Sequence, residues 1–247
     1  MDEQEDRGAG YAMNCKLFTI SFCAGDFVKV FVNSFRKYYP NYPLTVVDNN
    51  YEEEPETRFL KGRKDITIIR DPKLKPKDIH KCSHAAAMDF AFRLAYTARP
   101  RIDMLIHIDI DSLFLKKGVI EQCEGAYQKG FLCGGAYYKM APDNMVRFKE
   151  IWQVHTSLCF YSVKLINHFG VSFRKKGNHD TAEVLNCLLN GAGVKPFPMK
   201  GKGNESVYHV GGGSYSCSPD KKSKKALFAM EKRKAFFERE DVREYLV

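Results

Sequence analysis

Residues 104–111, MLIHIDID, contain a strong strand signal and the first candidate site. The unbroken apolar run Met104-Leu105-Ile106 predicts a strand that is buried on both faces of a sheet. Two carboxylates, Asp109 and Asp111, end the stretch one residue apart. Side chains at positions i and i+2 of an extended segment project to the same face, so both carboxylates can bind one cation. Hard oxygen donors of this kind suit Mg²⁺ or Mn²⁺.

Strands alternate with helices on the N-terminal side of this stretch. Strands are predicted at 16–23, 43–50 and 65–72, and helices at 25–40 and 80–100. Such alternation over about 100 residues indicates a mostly parallel sheet, whose ligands bind beyond the carboxyl ends of the strands. The D-x-D pair lies at one of these ends. Elsewhere D-x-D is also a common turn signal or helix cap, so the preceding strand is what favours a metal site.

The second half of the chain is less regular. The predicted elements are a glycine-containing strand at 130–138, a helix at 142–155, a β-rich or mixed stretch at 157–173, a helix at 181–193 and a loop at 208–216.

Three segments describe the predicted organisation. Residues 1–13 are polar and acidic and are predicted to be disordered. One α/β domain follows at 14–218, and a lysine-rich tail at 219–247 is predicted to be helical and to pack on the domain.

Composition and charge narrow the class of protein. The 247 residues are 44% hydrophobic and contain no run of eighteen apolar residues. The N-terminus is acidic where a secretory signal would be basic and then apolar, so we expect a soluble, cytoplasmic protein. Eight cysteines without a C-x-x-C pair favour reduced, mostly buried thiols over disulfides or a zinc site. The net charge of +9 favours anionic partners such as phosphates, nucleic acid or a membrane surface.

The order strand, helix, strand, strand, helix and then a hydrophobic strand with D-x-D resembles the nucleotide-sugar-binding half of a GT-A-fold glycosyltransferase. The resemblance extends from about Lys16 to Ser216. It implies a single Rossmann-like, mostly parallel sheet flanked by helices. It also implies a Mn²⁺ or Mg²⁺ ion on Asp109 and Asp111, a nucleotide-diphosphate-sugar donor, and a glycan or other hydroxyl acceptor.

A histidine late in the chain supplies the third metal ligand that the resemblance implies. Residues 209–212, HVGG, are similar to the start of the H-x-x-G-x-x-K segment of glycogenin-like enzymes. The lysine of that segment has no counterpart here, although Lys200 and Lys202 lie nearby. The resemblance assigns His209 to the metal, and Gly212 and Lys202 to the donor diphosphate.

Residues 177–186, GNHDTAEVLN, resemble the acidic segment that precedes a helix in many GT-A enzymes. An acidic residue there meets the acceptor hydroxyl or the donor sugar, which implies Asp180 and Glu183 as catalytic groups. An inverting transferase needs a carboxylate as general base, and Asp180 is the candidate. The same residues fit a capping box in which Asp180 caps a helix that begins at Thr181 and Glu183 reaches back. Both alternatives stay open.

Other residues are assigned to the donor pocket by the same resemblance. Ala24, Gly25 and Asp48 follow or end strands where this fold holds the nucleoside, and Asp48 also belongs to an ordinary turn sequence, D-N-N. His84 begins a helix that carries a donor-side histidine or asparagine in several transferase families, and it also suits a polar first turn. Ile110, inside D-x-D, completes the set.

Two other functions are compatible with these residues. Sugar-nucleotide nucleotidyltransferases use acidic metal sites on related sheets, but the first strand here ends in FCAGD, without a glycine- and basic-rich phosphate loop. An anion- or nucleic-acid-binding module would suit the charge, but no recognised nucleic-acid motif is present and no nucleic-acid partner is expected. The basic tail either docks with a solvated face or makes peripheral contact with an anionic membrane surface.

Overall fold

The computed structural model describes residues 13–22, 24–49, 55–70, 84–140, 151–170, 172–173, 182–200, 204–211 and 224–246. Within these ranges the strands are β1 (Cys15–Ser21), β2 (Leu44–Asp48), β3 (Thr67–Ile69), β4 (Met104–Ile108), β5 (Ser112–Phe114), β6 (Cys133–Met140), β7 (Ile151–Ser162), β8 (Phe197–Met199) and β9 (Val207–His209). The helices are α1 (Phe27–Tyr38), α2 (Pro55–Lys61), α3 (His84–Thr97), α4 (Val119–Gln128), α5 (Val163–Phe169), α6 (Glu183–Gly191), α7 (Lys224–Phe237) and α8 (Glu240–Arg243).

Seven of these strands form one sheet in the order β3-β2-β1-β4-β7-β6-β8. The pairs β3-β2, β2-β1, β1-β4 and β6-β8 are parallel, and β7 runs antiparallel to β4 and β6. The predicted Rossmann-like, mostly parallel sheet flanked by helices is therefore confirmed. Strands β5 and β9 form a separate antiparallel ribbon.

Alternate side chains of the central strands enter two cores on opposite faces of the sheet. In β1, Leu17 packs against the α1 side while Phe18 packs against the α3 side. In β4, Ile106 packs on the α1 side and Leu105 on the α3 side. A sheet buried on both faces needs apolar side chains at every strand position, which explains the unbroken apolar run of β4.

The strand order places a ligand crevice at the end of β4. From β1, the chain moves outward to β2 and β3 on one side, and β4 pairs with the opposite edge of β1. Ligands of such sheets bind at the carboxyl ends of the strands where the order reverses. The D-x-D pair follows β4 at this point, and the pairing of Ser112 with His209 in the β5-β9 ribbon brings the histidine back to it.

The predicted helix at 142–155 is wrong over residues 151–155, which belong to β7. Residues 142–150 lie outside the described ranges. Strand β7 pairs with β4 on one edge and with β6 on the other, so long-range hydrogen bonds override the local helical spacing. The mixed stretch at 157–173 divides into the end of β7 and helix α5. Helices α2 and α4 and strands β5 and β8 were not predicted, and β9 replaces the start of the loop predicted at 208–216.

The C-terminal helices contact the domain beside α1. Phe236 of α7, and Val242 and Tyr245 in and after α8, share an apolar cluster with Phe27 and Val210. The Nδ2 atom of Asn33 donates to the backbone oxygen of Tyr245 at 2.9 Å. The tail therefore packs on the same edge of the domain as the β5-β9 ribbon.

Two further features concern the whole described chain. Cys15, Cys123, Cys133 and Cys159 are buried free thiols, and burial raises the pKa of Cys133 to about 12. Among the described residues, no helix combines the length and the apolar character needed to cross a bilayer.

Candidate metal centre

Backbone hydrogen bonds fix both D-x-D carboxylates at the end of the central strand. The amide of Asp109 donates to the carbonyl of Ser157 at 3.0 Å, which continues the pairing of β4 with β7. The carbonyl of Asp111 accepts from the amide of Val210 at 3.0 Å, in line with the β5-β9 ribbon. The side chain of Asp109 is 23% exposed, while that of Asp111 is 7% exposed, so the pair is reached from solvent through Asp109.

The structure brings His209 to both carboxylates. Its Nε2 atom lies 3.1 Å from Oδ1 of Asp111 and 3.5 Å from Oδ2 of Asp109. In a six-coordinate shell with bonds of about 2.1 Å, neighbouring donor atoms lie about 3.0 Å apart. Two carboxylates and one imidazole at this spacing fit Mn²⁺, and they fit Mg²⁺ less well because Mg²⁺ prefers oxygen ligands.

Two more histidines lie near the Oδ1 atom of Asp109. The Nε2 atom of His84, at the start of α3, lies 3.6 Å from Oδ1 of Asp109, and that of His107, in β4, lies 3.9 Å from the same oxygen. The two Nε2 atoms are 3.3 Å apart. His84, which is predicted to belong to the donor pocket, therefore lies next to Asp109 of the D-x-D pair. The sequence analysis did not predict His107 as a site residue. The pattern H-x-D-x-D at residues 107–111 could have indicated it, because alternate residues of an extended segment lie on one face.

The histidines and carboxylates shift one another's pKa values. Burial raises the pKa of Asp109, but the hydrogen bond from His209 and the charges of His84 and His107 outweigh it and hold that pKa well below its usual range. Burial alone would lower the pKa of His209, yet its hydrogen bonds to Asp109 and Asp111 raise it to about 10. Burial, reinforced by His84, lowers the pKa of His107 to about 4. A divalent cation at the D-x-D pair would take the place of the His209 proton.

The end of β1 contacts the tail. Ala24 is buried in the apolar cluster that includes Phe27 and Phe236. Gly25 has a φ of 58°, in the left-handed region that favours glycine, and its amide donates to the side chain of Glu56. A Cβ atom at Gly25 would collide with the guanidinium of Arg233 in α7. Arg233 therefore lies over the loop predicted to hold the nucleoside.

Asp48 and Ile110 have partners in the protein. The buried carboxylate of Asp48 lies 2.9 Å from Nε of Arg70 and accepts from Oγ1 of Thr57 at 3.1 Å. A direct contact of Asp48 with a nucleoside stays a prediction. Ile110 is half-buried and packs against two of the apolar clusters.

Helix α7 brings a lysine to the loop that follows His209. The Nζ atom of Lys232 donates to the carbonyl of Val210 at 3.5 Å and lies 3.9 Å from the position of a Cβ atom on Gly211. The H-x-x-G-x-x-K resemblance lacks its lysine at this loop, and Lys232 puts a cation there from a different element. The sequence signal for it was only the basic character of the tail.

The predicted catalytic segment is described in part. Asp180 lies outside the described residues, as do Gly212 and Lys202. Helix α6 begins at Glu183, and its N-cap residue is Ala182, with a φ of 66° and no side-chain cap. The helix start predicted at Thr181 is therefore wrong, and the predicted capping by the side chain of Asp180 lies outside the described residues. The side chain of Asn186 anchors this helix end, since Nδ2 donates to the carbonyls of Ala182 and Val154.

A separate cavity of about 420 Å³ lies between α3 and α5, lined in part by Asp89, Phe92, Arg93 and Tyr96. It includes none of the residues of the carboxylate–histidine cluster. The chemistry-bearing groups instead lie at the end of β4, where the side chain of Asp109 is 23% exposed.

Comparison with known proteins gives structural matches alone. No family model and no curated protein sequence matches the chain. The mannosyltransferase PcManGT from Pyrobaculum calidifontis, solved in complex with GDP-Man and Mn²⁺, matches with a TM-score of 0.54 at 13% identity, over 96% of this chain and 85% of that one. TarS 1-349 of S. aureus matches with a TM-score of 0.53 at 11% identity, over 83% of this chain and 63% of that one. This chain has a GT-A-type fold.

The GT-A-type fold is also shared with an enzyme of a different class. The 4-diphosphocytidyl-2C-methyl-D-erythritol synthase from Anaerococcus prevotii matches with a TM-score of 0.54 at 10% identity, over 92% of this chain and 99% of that one. The present chain spans less than two thirds of the TarS fragment. Likenesses at these identities establish the fold, and the activity has to be argued from the site.

Proposed function

We propose that the protein is a glycosyltransferase that moves a sugar from a nucleotide-diphosphate-sugar donor to a glycan or other hydroxyl acceptor. The observation that carries the proposal is the convergence of Asp109, Asp111 and His209 in the ligand crevice of a GT-A-type fold. A structural neighbour solved with GDP-Man and Mn²⁺ supports the same class of donor and metal.

The three residues would hold Mn²⁺ or Mg²⁺ together with the donor diphosphate. When bound, the ion neutralises the negative charge that develops on the diphosphate as the sugar departs. Backbone hydrogen bonds to Ser157 and Val210 hold the main chain of the two aspartates in place before the donor arrives. This preorganisation lowers the cost of ordering the site when the donor binds.

The protein's own cations complete the proposed diphosphate site. Lys232 lies beside the loop after His209, where its ammonium group can reach a phosphate oxygen. Arg233 lies over Gly25 at the end of β1. Gly212 and Lys202 stay proposed contacts of the diphosphate. Positive side chains on α7 would favour the diphosphate product as well as the donor, because both carry the same phosphate oxygens.

Asp180 is the proposed general base, with Glu183 as the second candidate. In an inverting reaction the base takes the proton of the acceptor hydroxyl as that oxygen attacks the anomeric carbon. The N-cap residue of α6 is Ala182, so the proposal for Asp180 does not depend on its capping this helix. The acidic segment before α6 therefore retains catalysis as its proposed use.

A donor screen tests the proposal. We would measure the melting temperature with UDP-, GDP-, TDP- and CMP-sugars, each with Mn²⁺ and with EDTA. A bound donor adds about RT ln(1+[L]/Kd) to stability, so the true donor should raise the melting temperature in Mn²⁺ and lose that effect in EDTA. If no nucleotide sugar raises it in a metal-dependent way, the proposal fails.

Nucleotidyl transfer is the second candidate function. The full-length match to the 4-diphosphocytidyl-2C-methyl-D-erythritol synthase favours it. The loop after β1, Ala24-Gly25-Asp26, argues against it because it lacks the glycine- and basic-rich sequence that binds a triphosphate. A nucleotidyltransferase releases pyrophosphate from a nucleoside triphosphate and a sugar phosphate. A glycosyltransferase releases a nucleoside diphosphate from a nucleotide sugar, so identifying the product separates the two.

The tail is proposed to make peripheral contact with an anionic membrane surface. Leu227, Phe228 and Met230 of α7 are 49%, 59% and 45% exposed. Lysines at 224, 225 and 234 belong to the same helix. An exposed apolar group among cations suits the boundary between lipid headgroups and acyl chains. A cytoplasmic location stays a prediction.

A further inference from the structure

Asp109 presents its two oxygens to two different groups of ligand atoms. Its Oδ2 atom lies 3.5 Å from His209 in the D-x-D group. Its Oδ1 atom lies 3.6 Å from Nε2 of His84 and 3.9 Å from Nε2 of His107. One carboxylate thus contributes one oxygen to each of two sets of potential metal ligands.

The spacing of the second group matches that of a four-coordinate transition metal. Bonds of about 2.0–2.1 Å in a tetrahedral arrangement place donor atoms about 3.3–3.4 Å apart. The observed separations are 3.3 Å between the two Nε2 atoms, and 3.6 and 3.9 Å from these atoms to Oδ1 of Asp109. Contraction by a few tenths of an ångström would close the shell, and three protein ligands would leave the fourth position to water.

The orientation of His107 also matches that of a metal ligand. Its Nδ1 atom lies 2.6 Å from the carbonyl oxygen of Thr156. A carbonyl can only accept, so Nδ1 carries the hydrogen and the Nε2 lone pair points toward His84 and Asp109. Metal-binding histidines are commonly held in this way by a carbonyl on the distal nitrogen.

We propose that His84, His107 and Asp109 bind a second divalent ion of the Zn²⁺, Co²⁺ or Fe²⁺ class, adjacent to the D-x-D ion and bridged to it by Asp109. Two imidazoles make this group softer than the D-x-D group, which favours transition metals over Mg²⁺. Ions that share a site in this way lie about 3.5–4 Å apart. Only the bridge rests on the proposed function, because the second ion requires no particular reaction.

Co²⁺ is the probe that distinguishes the two groups, because four-coordinate Co²⁺ absorbs visible light strongly and six-coordinate Co²⁺ absorbs weakly. The full chain, stripped with EDTA, would be titrated with Co²⁺ while absorbance and bound metal are measured. We expect two bound ions in the wild type. In His84→Ala the strong absorbance should be lost, because the ion that produces it binds at least about 10- to 100-fold more weakly. Removing a residue that only hydrogen-bonds to a metal ligand already costs that much affinity, so removing a ligand should cost no less.

Two control variants define the remaining outcomes. His209→Ala should lose the weakly absorbing ion and keep the strong bands, and His168→Ala, on an exposed part of α5, should bind as the wild type does. His84 is one-third exposed at the start of α3, and His84→Gln should reproduce the loss if alanine disturbs the helix. The proposal is overturned if folded His84 variants bind Co²⁺ as the wild type does, as expected if His84 and His107 only hydrogen-bond to each other. One bound ion that both His84→Ala and His209→Ala remove would also overturn it. Neither result depends on sugar transfer.

Discussion

The carboxylate of Asp111 is almost fully buried and its Oδ1 atom lies 3.1 Å from Nε2 of His209. Asp111→Asn keeps the shape of the side chain but removes one anionic oxygen ligand of the proposed ion. The diphosphate that the ion would hold is then bound more weakly. We therefore expect transfer to be abolished while the melting temperature changes little. Steady-state transfer assays with the donor found by the screen provide the measurement. Near-normal turnover, in the variant or in excess EDTA, would contradict the metal role.

Replacing His209 tests metal binding separately from nucleotide binding. His209→Ala removes one ligand of the D-x-D ion, so calorimetry should show weaker binding of the donor in Mn²⁺. Any binding of the nucleotide in EDTA should stay nearly unchanged, because the histidine is then not needed as a ligand. An equal loss of affinity with and without metal would show that His209 contacts the donor itself.

Single residues differ in how far the sequence could predict them. Asp109 and Asp111 were predictable because strand geometry alone puts side chains at i and i+2 on one face. His209 needed a resemblance, since the residue is distant in sequence and the β5-β9 ribbon brings it back. His107 lies two residues before Asp109 and so belongs to the same face of the extended segment. A histidine inside an apolar strand is nevertheless usually interpreted as a core residue. Its hydrogen bond to Thr156 could not be foreseen, because that residue lies on the neighbouring strand.

At the scale of elements, helix α7 is proposed to contribute to the donor site through Lys232, whose Nζ atom donates to the carbonyl of Val210 at 3.5 Å. We expect Lys232→Ala to weaken the binding of a nucleoside diphosphate by about 10- to 100-fold, since hydrogen bonds to charged groups contribute about 1.5–3 kcal/mol. Lys234→Ala is the matched control, because this lysine is on the same helix with its side chain 79% exposed. Calorimetry with the nucleoside diphosphate and monophosphate gives the readout. Equal affinities for wild type and Lys232→Ala would exclude the contact.

The segment before α6 carries the prediction for Asp180. Because Ala182 is the N-cap residue of α6, Asp180→Asn should not cost a helix cap. Loss of the general base should lower kcat by about 10²- to 10⁴-fold, with little change in melting temperature or donor affinity. Rates within a few-fold of the wild type would move the role to Glu183 or favour a retaining mechanism.

Elements were predictable where local pattern and tertiary role agree. The helix at Phe27–Tyr38 has an apolar face at helical spacing, and that face is buried against the sheet. The helix predicted over residues 151–155 was wrong because their local spacing is helical while both edges of β7 are paired with other strands. Strand pairing outweighs such local preferences, and a single sequence does not reveal which strands are neighbours.

At the scale of the whole molecule, the cluster around Asp109 depends on contacts between distant parts of the chain. His84 comes from α3, the carboxylates follow β4 and His209 ends β9, and Lys232 of α7 lies beside the residue after His209. The parallel order of β3, β2, β1 and β4 follows from alternating strands and helices, so the location of the crevice was predictable. The antiparallel β7 between β4 and β6 was not, because its position depends on pairing rather than on local pattern.

The net charge of +9 and the exposed apolar side chains of α7 lead to a prediction about membranes. We expect the protein to sediment with vesicles that contain phosphatidylglycerol and not with phosphatidylcholine vesicles. Each lysine near an anionic surface contributes about 1 kcal/mol, so added salt should release the protein. Replacing Leu227 and Phe228 by glutamate should reduce binding, because both side chains would leave the lipid and the tail would lose positive charge. Leu188→Glu, on the exposed surface of α6, is the control and should bind nearly as the wild type does. Equal binding of all variants would show that general charge attraction, and not α7, holds the protein at the surface.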